Sequence, residues 1–211
     1  MSSAYSNWDR DLATTRALQA ADNSRATDGN CIYNFAFGSN LNPTKVKSRN
    51  MSPKEVLRGF LPEWQLLFNH IGGYGNIEQT AVIQELNLDV SRLQKKPSRR
   101  SRTATTLVQQ QPPEEVHGVL LKLSRKEFAQ MAWEEYAYNT VEVPVVVYPE
   151  DDTTGSATRI QWCLAFKTSE VAITDSTTLP SKRYIRLIQQ GARESGIAEQ
   201  YCQWLEGIPS A

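Results

Sequence analysis

The residues best suited to chemistry are Gly38, Ser39, Asn40 and Leu41. The stretch before them, Ile32 to Phe37, is aromatic and β-branched, the composition of a buried strand. Asn42-Pro43 after them reads as a helix N-cap followed by proline at the first helical position. A strand that runs through a tight Gly/Ser/Asn loop into a helix directs several backbone N–H groups at one spot. A carboxylate or an oxyanion can sit there. The same residues also fit a plain strand–helix turn with no ligand, so the rest of the chain has to decide between the two.

Other chemistries find less support. The three cysteines, Cys31, Cys163 and Cys202, are far apart and form no Cys-x-x-Cys pair, which argues against a zinc or redox site. Apolar surroundings favour buried, inert thiols. The two histidines, His70 and His117, have no metal-ligand partner at useful spacing, and a structural role is expected for both. The 23 basic and 23 acidic residues cancel, so there is no overall pull towards nucleic acid or a membrane surface. No apolar run reaches spanning length and the N-terminus lacks the apolar core of a signal peptide, so a reducing, cytoplasmic home is expected.

These residues need a scaffold, and 211 residues can supply one domain with a full core. Residues 1–30 form a polar arm, in which Trp8, Leu12 and Leu18 could line one face of a short helix. Thr44 to Asn50 reads as a short helix carrying Lys45, Lys47 and Arg49. Ser52 to Glu55 has the capping-box form and could open another helical turn, with Gly59 and Pro62 bending the chain. Trp64 to Asn69 reads as a strand, His70 to Ile77 as a glycine-rich loop, and Ala81 to Leu86 as the next strand. Residues 87–113 form a polar insertion whose run Arg92 to Arg102 holds six basic residues and no acid. A solvated loop is the simpler reading there, because no aromatic side chain interrupts the run to stack on bases.

Beyond it, Val116 to Leu123 alternates as a strand, and Ser124 to Glu127 is a capping box. The helix that follows sets Phe128 and Met131 on one face, with Glu135 a turn further on. Val141 to Tyr148 is strongly β with Pro144 marking an edge or bulge, and Arg159 to Lys167 is its hairpin partner. Helices over Ser181 to Arg193 and Glu199 to Glu206 close the chain. Four to six strands with helices at both ends describe one mixed α/β domain.

The order of several fragments resembles the γ-glutamylcyclotransferase family. Phe35-Ala36-Phe37-Gly38-Ser39-Asn40-Leu41 is similar to its YGSNL fingerprint, with Phe37 in place of the usual tyrosine. A Gly-Phe-x-x-x-Trp-x-Leu-x-Phe-Asn run, then Gly-x-Gly-Asn-Ile, Val-His-Gly-Val-Leu, a helix ending in glutamate and Tyr-x-x-Val-Glu-Val follow in the family's order. The resemblance covers residues 32–207. It implies an α+β fold, a small mixed β-barrel flanked by helices, in a single domain over residues 31–207. It also implies cyclisation of a γ-glutamyl group to 5-oxoproline with release of an amine or amino acid, and no metal or organic cofactor. The partner would be a small γ-glutamyl molecule, with no nucleic acid and no membrane, and the protein would be a monomer or homodimer.

By the same resemblance Glu135 falls where the family's catalytic glutamate falls, and a shift of one would place Glu134 there. Backbone groups of Gly38 to Leu41, with the Phe37 ring, would bind the γ-glutamyl portion, and Tyr138 could lend its hydroxyl. Trp133, Tyr136 and Tyr138 could give the glutamate an apolar wall, in which one carboxylate serves first as base and then as acid. This sequence departs from the family pattern in one place: Glu134-Glu135-Tyr136-Ala137-Tyr138 lacks the usual glycine and is short. That departure keeps a non-catalytic binding member of the same fold as the rival reading. A second rival is an enzyme that trims γ-glutamyl from a glutathione-conjugated metabolite, which a wide apolar pocket mouth would favour.

Overall fold

The computed structural model describes residues 7–88, 90, 112–169 and 178–211. Helix α1 (Asn7–Asp22) leads into the short β1 (Thr27–Asp28), β2 (Cys31–Ala36), α2 (Pro43–Ser48), β3 (Glu55–Pro62), β4 (Trp64–His70) and β5 (Tyr74–Gln79). There follow α3 (Thr80–Glu85), β6 (Glu115–Ser124), α4 (Arg125–Glu134), β7 (Tyr138–Val147), β8 (Ile160–Thr168), α5 (Lys182–Glu194) and α6 (Glu199–Gly207).

Strands β2, β6, β3, β7 and β8 pair in that order, and the sheet closes on itself where β2 meets β8 in parallel at Asn34 and Leu164. The ladder at that seam is a single residue pair. A side chain reinforces it: Asn34 Nδ2 donates to the Leu164 carbonyl at 2.8 Å. Closure of this five-stranded barrel removes exposed sheet edges. Every residue of β2 is buried, and the barrel core includes Phe35, Leu61, Leu120, Val143 and Leu164. The expected mixed α/β barrel flanked by helices is the observed architecture.

Two sequence expectations are corrected. Glu55–Pro62, read as a helical turn and a bend, is the central strand β3, paired with β6 along its whole length. Gly59 permits this pairing rather than bending the chain: a Cβ there would lie 2.6 Å from the Val146 carbonyl oxygen and 2.8 Å from Val145 Cγ1. Thr80–Glu85, read as part of a strand, is the helix α3, and only Ile83 of it is buried. The short apolar run Ala81-Val82-Ile83 fits either state by composition, and its position just after the β4–β5 hairpin decides. That hairpin turns through Gly72 and Gly73, both at positive φ, so half of the expected glycine-rich loop is strand β5.

The N-terminal helix docks on α4 and β7. Its buried positions are Ala17 and Ala21, whereas Trp8, expected on the packed face, is 69% exposed. Arg10 instead supplies the contact, its guanidinium lying 4.3 Å from the Trp133 ring centroid and 4.2 Å from that of Tyr136. The cap signals hold: Asn42 accepts from Lys45 N with Pro43 behind it, and the Ser124/Glu127 capping box has both of its bonds. The basic run Arg92 to Arg102 lies outside the described residues.

Candidate active site

The loop after β2 is a single 3₁₀ turn, Ser39–Leu41, closed by Leu41 N–H donating to the Gly38 carbonyl at 3.0 Å. Among the described residues, no protein acceptor takes the backbone N–H groups of Ser39 and Asn40. Helix α5 presses on this turn from outside. A Cβ at Gly191 would lie 2.7 Å from Asn42 N, so glycine is what lets the helix backbone approach the loop. Ser195 Oγ adds a bond of 2.9 Å to the Leu41 carbonyl. The same helix brings Tyr184 over the turn. Its hydroxyl accepts the Gly75 N–H at 3.0 Å and would sit 3.2 Å from a Cβ at Gly38. Glycines at 38 and 75 therefore leave room for one phenol between the two loops.

Across the cavity, α4 ends at Glu135, whose N–H donates to the Met131 carbonyl and whose own carbonyl accepts from Tyr138 N, each at 2.9 Å. The turn from Glu135 to Tyr138 needs no glycine. Among the described non-glycine residues, positive φ occurs at Asn50, Glu63 and Asn87, none of them here. The Glu135 carboxylate points at the Ser39–Leu41 turn: Oε1 accepts from Asn40 Nδ2 at 3.0 Å and from an Arg49 guanidinium nitrogen at 3.3 Å. Arg49 binds the Asn40 amide oxygen at 2.6 Å and sets its Nε 2.5 Å from Glu134. Asn40, Arg49 and Glu135 thus form a closed triangle, and Glu134, which also lines the pocket, holds the Nε edge of Arg49.

The pocket enclosed by these groups has a volume of about 640 Å³. Its lining includes Phe37, Gly38, Ser39, Asn40, Glu135 and Tyr138, so six of the seven site residues expected from sequence come together. Leu41 does not line it: the side chain is buried in the core and its N–H closes the 3₁₀ turn. The wall beside Glu135 differs from the expected one. Tyr136 and Tyr138 line the pocket but Trp133 does not; Trp133 and Tyr136 both stack on Arg10, and the nearest contacts of the carboxylate are a guanidinium and an amide. Of the glycine-loop residues, Gly75 lines the pocket, while Asn76 is fully buried and ties Asn69 to the Thr168 N–H. Tyr33 lies elsewhere and donates to Glu55 at 2.5 Å.

Sequence reasoning did not place Lys45, Arg49, His70, Tyr74 or Tyr184 in the site, and all five line it. Lys45 and Arg49 are four residues apart and so share a face of α2, a spacing readable in the sequence. His70, taken as structural, stacks on Tyr138 at 4.4 Å between ring centroids. Burial pushes the His70 imidazole below its ordinary pKa, with the Glu135 carboxylate opposing, so it is neutral at pH 7. Burial raises the Tyr138 and Tyr184 phenols far above theirs, and both remain protonated hydrogen-bond donors. Burial, followed by the nearby Arg49, lowers the Lys45 ammonium, and Glu135 and Glu134 offset part of this.

The model of the AIG2-like family matches residues 115–205. A curated relative, the γ-glutamylcyclotransferase of Bos taurus, is 23% identical over 184 residues, covering 87% of this chain and 82% of its own. The chain is thus similar to γ-glutamylcyclotransferase-like proteins in sequence and in fold. A solved structure titled γ-glutamyl cyclotransferase superposes with a TM-score of 0.58 at 19% identity, covering 86% of this chain and 89% of its own. An uncharacterised human protein gives 0.57 at the same identity, covering 86% and 90%. At these identities the structural likeness carries the fold alone. Among the described residues no helix is long and apolar enough to cross a membrane.

Proposed function

We propose that the protein is a γ-glutamylcyclotransferase that converts a small γ-glutamyl compound to 5-oxoproline. The observation that carries this reading is the meeting of Glu135 with the Ser39–Leu41 turn across a cavity of about 640 Å³. The substrate's α-amine attacks its own γ-amide carbonyl. A C–N bond forms between that amine and the γ-carbonyl carbon, and the C–N bond to the leaving amine breaks. The nucleophile is tethered to its target, so holding the chain folded supplies much of the rate.

In this scheme the Glu135 carboxylate accepts a proton from the α-ammonium group and returns it to the departing nitrogen. Arg49 and Asn40 fix the carboxylate's orientation, and the second oxygen, Oε2, is left for the substrate. The Ser39 and Asn40 N–H groups face the developing oxyanion. Tyr138 and Tyr184, held protonated, wall the cavity. Both carboxylates line the pocket, and Glu135 is preferred to Glu134 because it bonds Asn40 of the turn, whereas the contact of Glu134 is with Arg49.

One observation favours the rival binding reading: Glu135 is held by a guanidinium rather than in an apolar wall. Arg183, exposed on the lining, makes the opening polar and gives no support to the trimming of bulky conjugates. The deciding experiment incubates purified protein with γ-glutamyl dipeptides, a γ-glutamyl amine, glutathione and a glutathione conjugate, and detects 5-oxoproline by mass spectrometry. Release from a dipeptide, the amine or glutathione is the expected result. Silence across the whole panel from folded protein would leave the binding reading in its place.

A further inference from the structure

Among the described residues, Lys45 is a partly buried cation of the site whose charge has no counter-ion there. Arg49 is fully engaged, with Glu134, Glu135 and the Asn40 amide oxygen around its guanidinium. Arg183 is exposed and solvated. The Lys45 side chain is half-buried and lines the pocket, and among the described residues no carboxylate lies within ion-pair distance of it. Its hydrogen-bond partner is the Ser39 hydroxyl. An ammonium has three donors, so two remain for a ligand. A desolvated charge without a partner is costly, and the lowered pKa of this group reflects that burial.

The opposite charge in the site sits at Glu135 and Glu134, both close enough to be felt at Lys45, and of the two Glu135 is the one bonded to the turn. An anion at Glu135, bonded to Asn40, and an unpaired cation at Lys45, bonded to Ser39, line the same pocket at neighbouring residues of the turn and match the two ends of an α-amino acid. We propose that Lys45 binds the α-carboxylate of the γ-glutamyl group, with Ser39 holding the ammonium towards the pocket, while Glu135 takes the adjacent α-ammonium. This inference deepens the cyclotransferase reading and rests on it for the identity of the ligand. It gives the pocket its requirement for a free α-carboxylate, which backbone N–H groups alone would not enforce.

The test uses two non-reacting probes that differ in this one group: 5-oxoproline, the expected product, and 2-pyrrolidinone, the same ring without the carboxylate. Affinities for the full chain are measured by NMR titration for the wild type, Lys45→Met and Lys45→Arg. The wild type is expected to prefer 5-oxoproline, Lys45→Met to weaken it roughly 10- to 100-fold, and Lys45→Arg to recover most of that loss. Binding of 2-pyrrolidinone should be the same in all three. Equal weakening of both probes in Lys45→Met would assign Lys45 to holding the loop, and no weakening of either would remove it from the ligand site; each overturns the proposal, as does a wild type that binds neither probe. Turnover of γ-glutamyl dipeptides by the wild type is followed in parallel. Discrimination at Lys45 without turnover sinks the enzyme reading and keeps the carboxylate site, whereas turnover without discrimination does the reverse.

Discussion

The pair Glu135→Gln and Glu134→Gln separates the proposed base from its neighbour. Glutamine keeps the volume of glutamate and one acceptor oxygen, so at position 135 the 3.0 Å bond from Asn40 survives. What is lost is the ionic part of a 3.3 Å contact with Arg49, which still has Glu134 at 2.5 Å. Both side chains are partly solvated, at 16% and 17% exposure, so the loss of stability should be about 0.5–1 kcal/mol. For a chain of this size that is roughly a 1–4 °C fall in melting temperature. Glu134→Gln weakens the shorter contact and should cost a similar amount. Turnover should divide them sharply. Removing a general base lowers the rate by about 10²–10⁴-fold, or about 2.7–5.5 kcal/mol in the barrier, against a change of less than about threefold for the neighbour. The assay is 5-oxoproline release at saturating γ-glutamyl dipeptide, alongside thermal melts of both variants. Near-normal turnover by Glu135→Gln would refute the assignment of the base. Equal losses in both variants would show that the ion pair with Arg49, rather than a carboxylate at the turn, is what matters.

Arg49→Met should be the more destabilising change, by about 2–3 kcal/mol, because it leaves Glu134 and Glu135 side by side without their shared cation; chemical denaturation measures it. Gly59→Ala should cost about 2–3 kcal/mol or block folding, since its Cβ would meet the Val146 carbonyl oxygen at 2.6 Å inside the paired strands. Acidification should lower stability in a defined window. Burial depresses the pKa of His70 and of His117 below the ordinary 6.5, with Glu135 and Glu115 respectively opposing. Between that value and the lower folded ones the unfolded chain binds more protons, so stability rises with pH there and falls as the pH drops below about 6.5. Melting temperatures recorded from pH 8 to pH 5 should show the fall, with a smaller slope in His117→Gln; a flat profile would contradict the burial argument.

Much of the scaffold is legible in the residues themselves. The run Ile32 to Phe37, the Asn42-Pro43 cap, the Ser124/Glu127 box and the alternating strand over residues 116–123 carry their own local physics, and each forms as read. The order of short fragments pointed to the barrel and to Glu135. The central strand β3 was not legible, because its meaning depends on Val146 passing close to Gly59, a contact between residues far apart in the chain. The docked face of α1 was not legible either, because two alanines and a cation over two rings leave almost no periodic apolar signal.

The site divides the same way. The chain's local chemistry determined that a Gly-Ser-Asn turn would open a helix and that a glutamate would end another. Only the tertiary structure decided which charges face each other. Barrel closure at Asn34 and Leu164, with α5 seated on the turn through Gly191, sets Lys45, Arg49, His70 and Tyr184 around Glu135. Periodicity can place Lys45 and Arg49 on one face of α2. That face meets a pocket rather than solvent because α4, some 80 residues later in the chain, ends in two carboxylates opposite it.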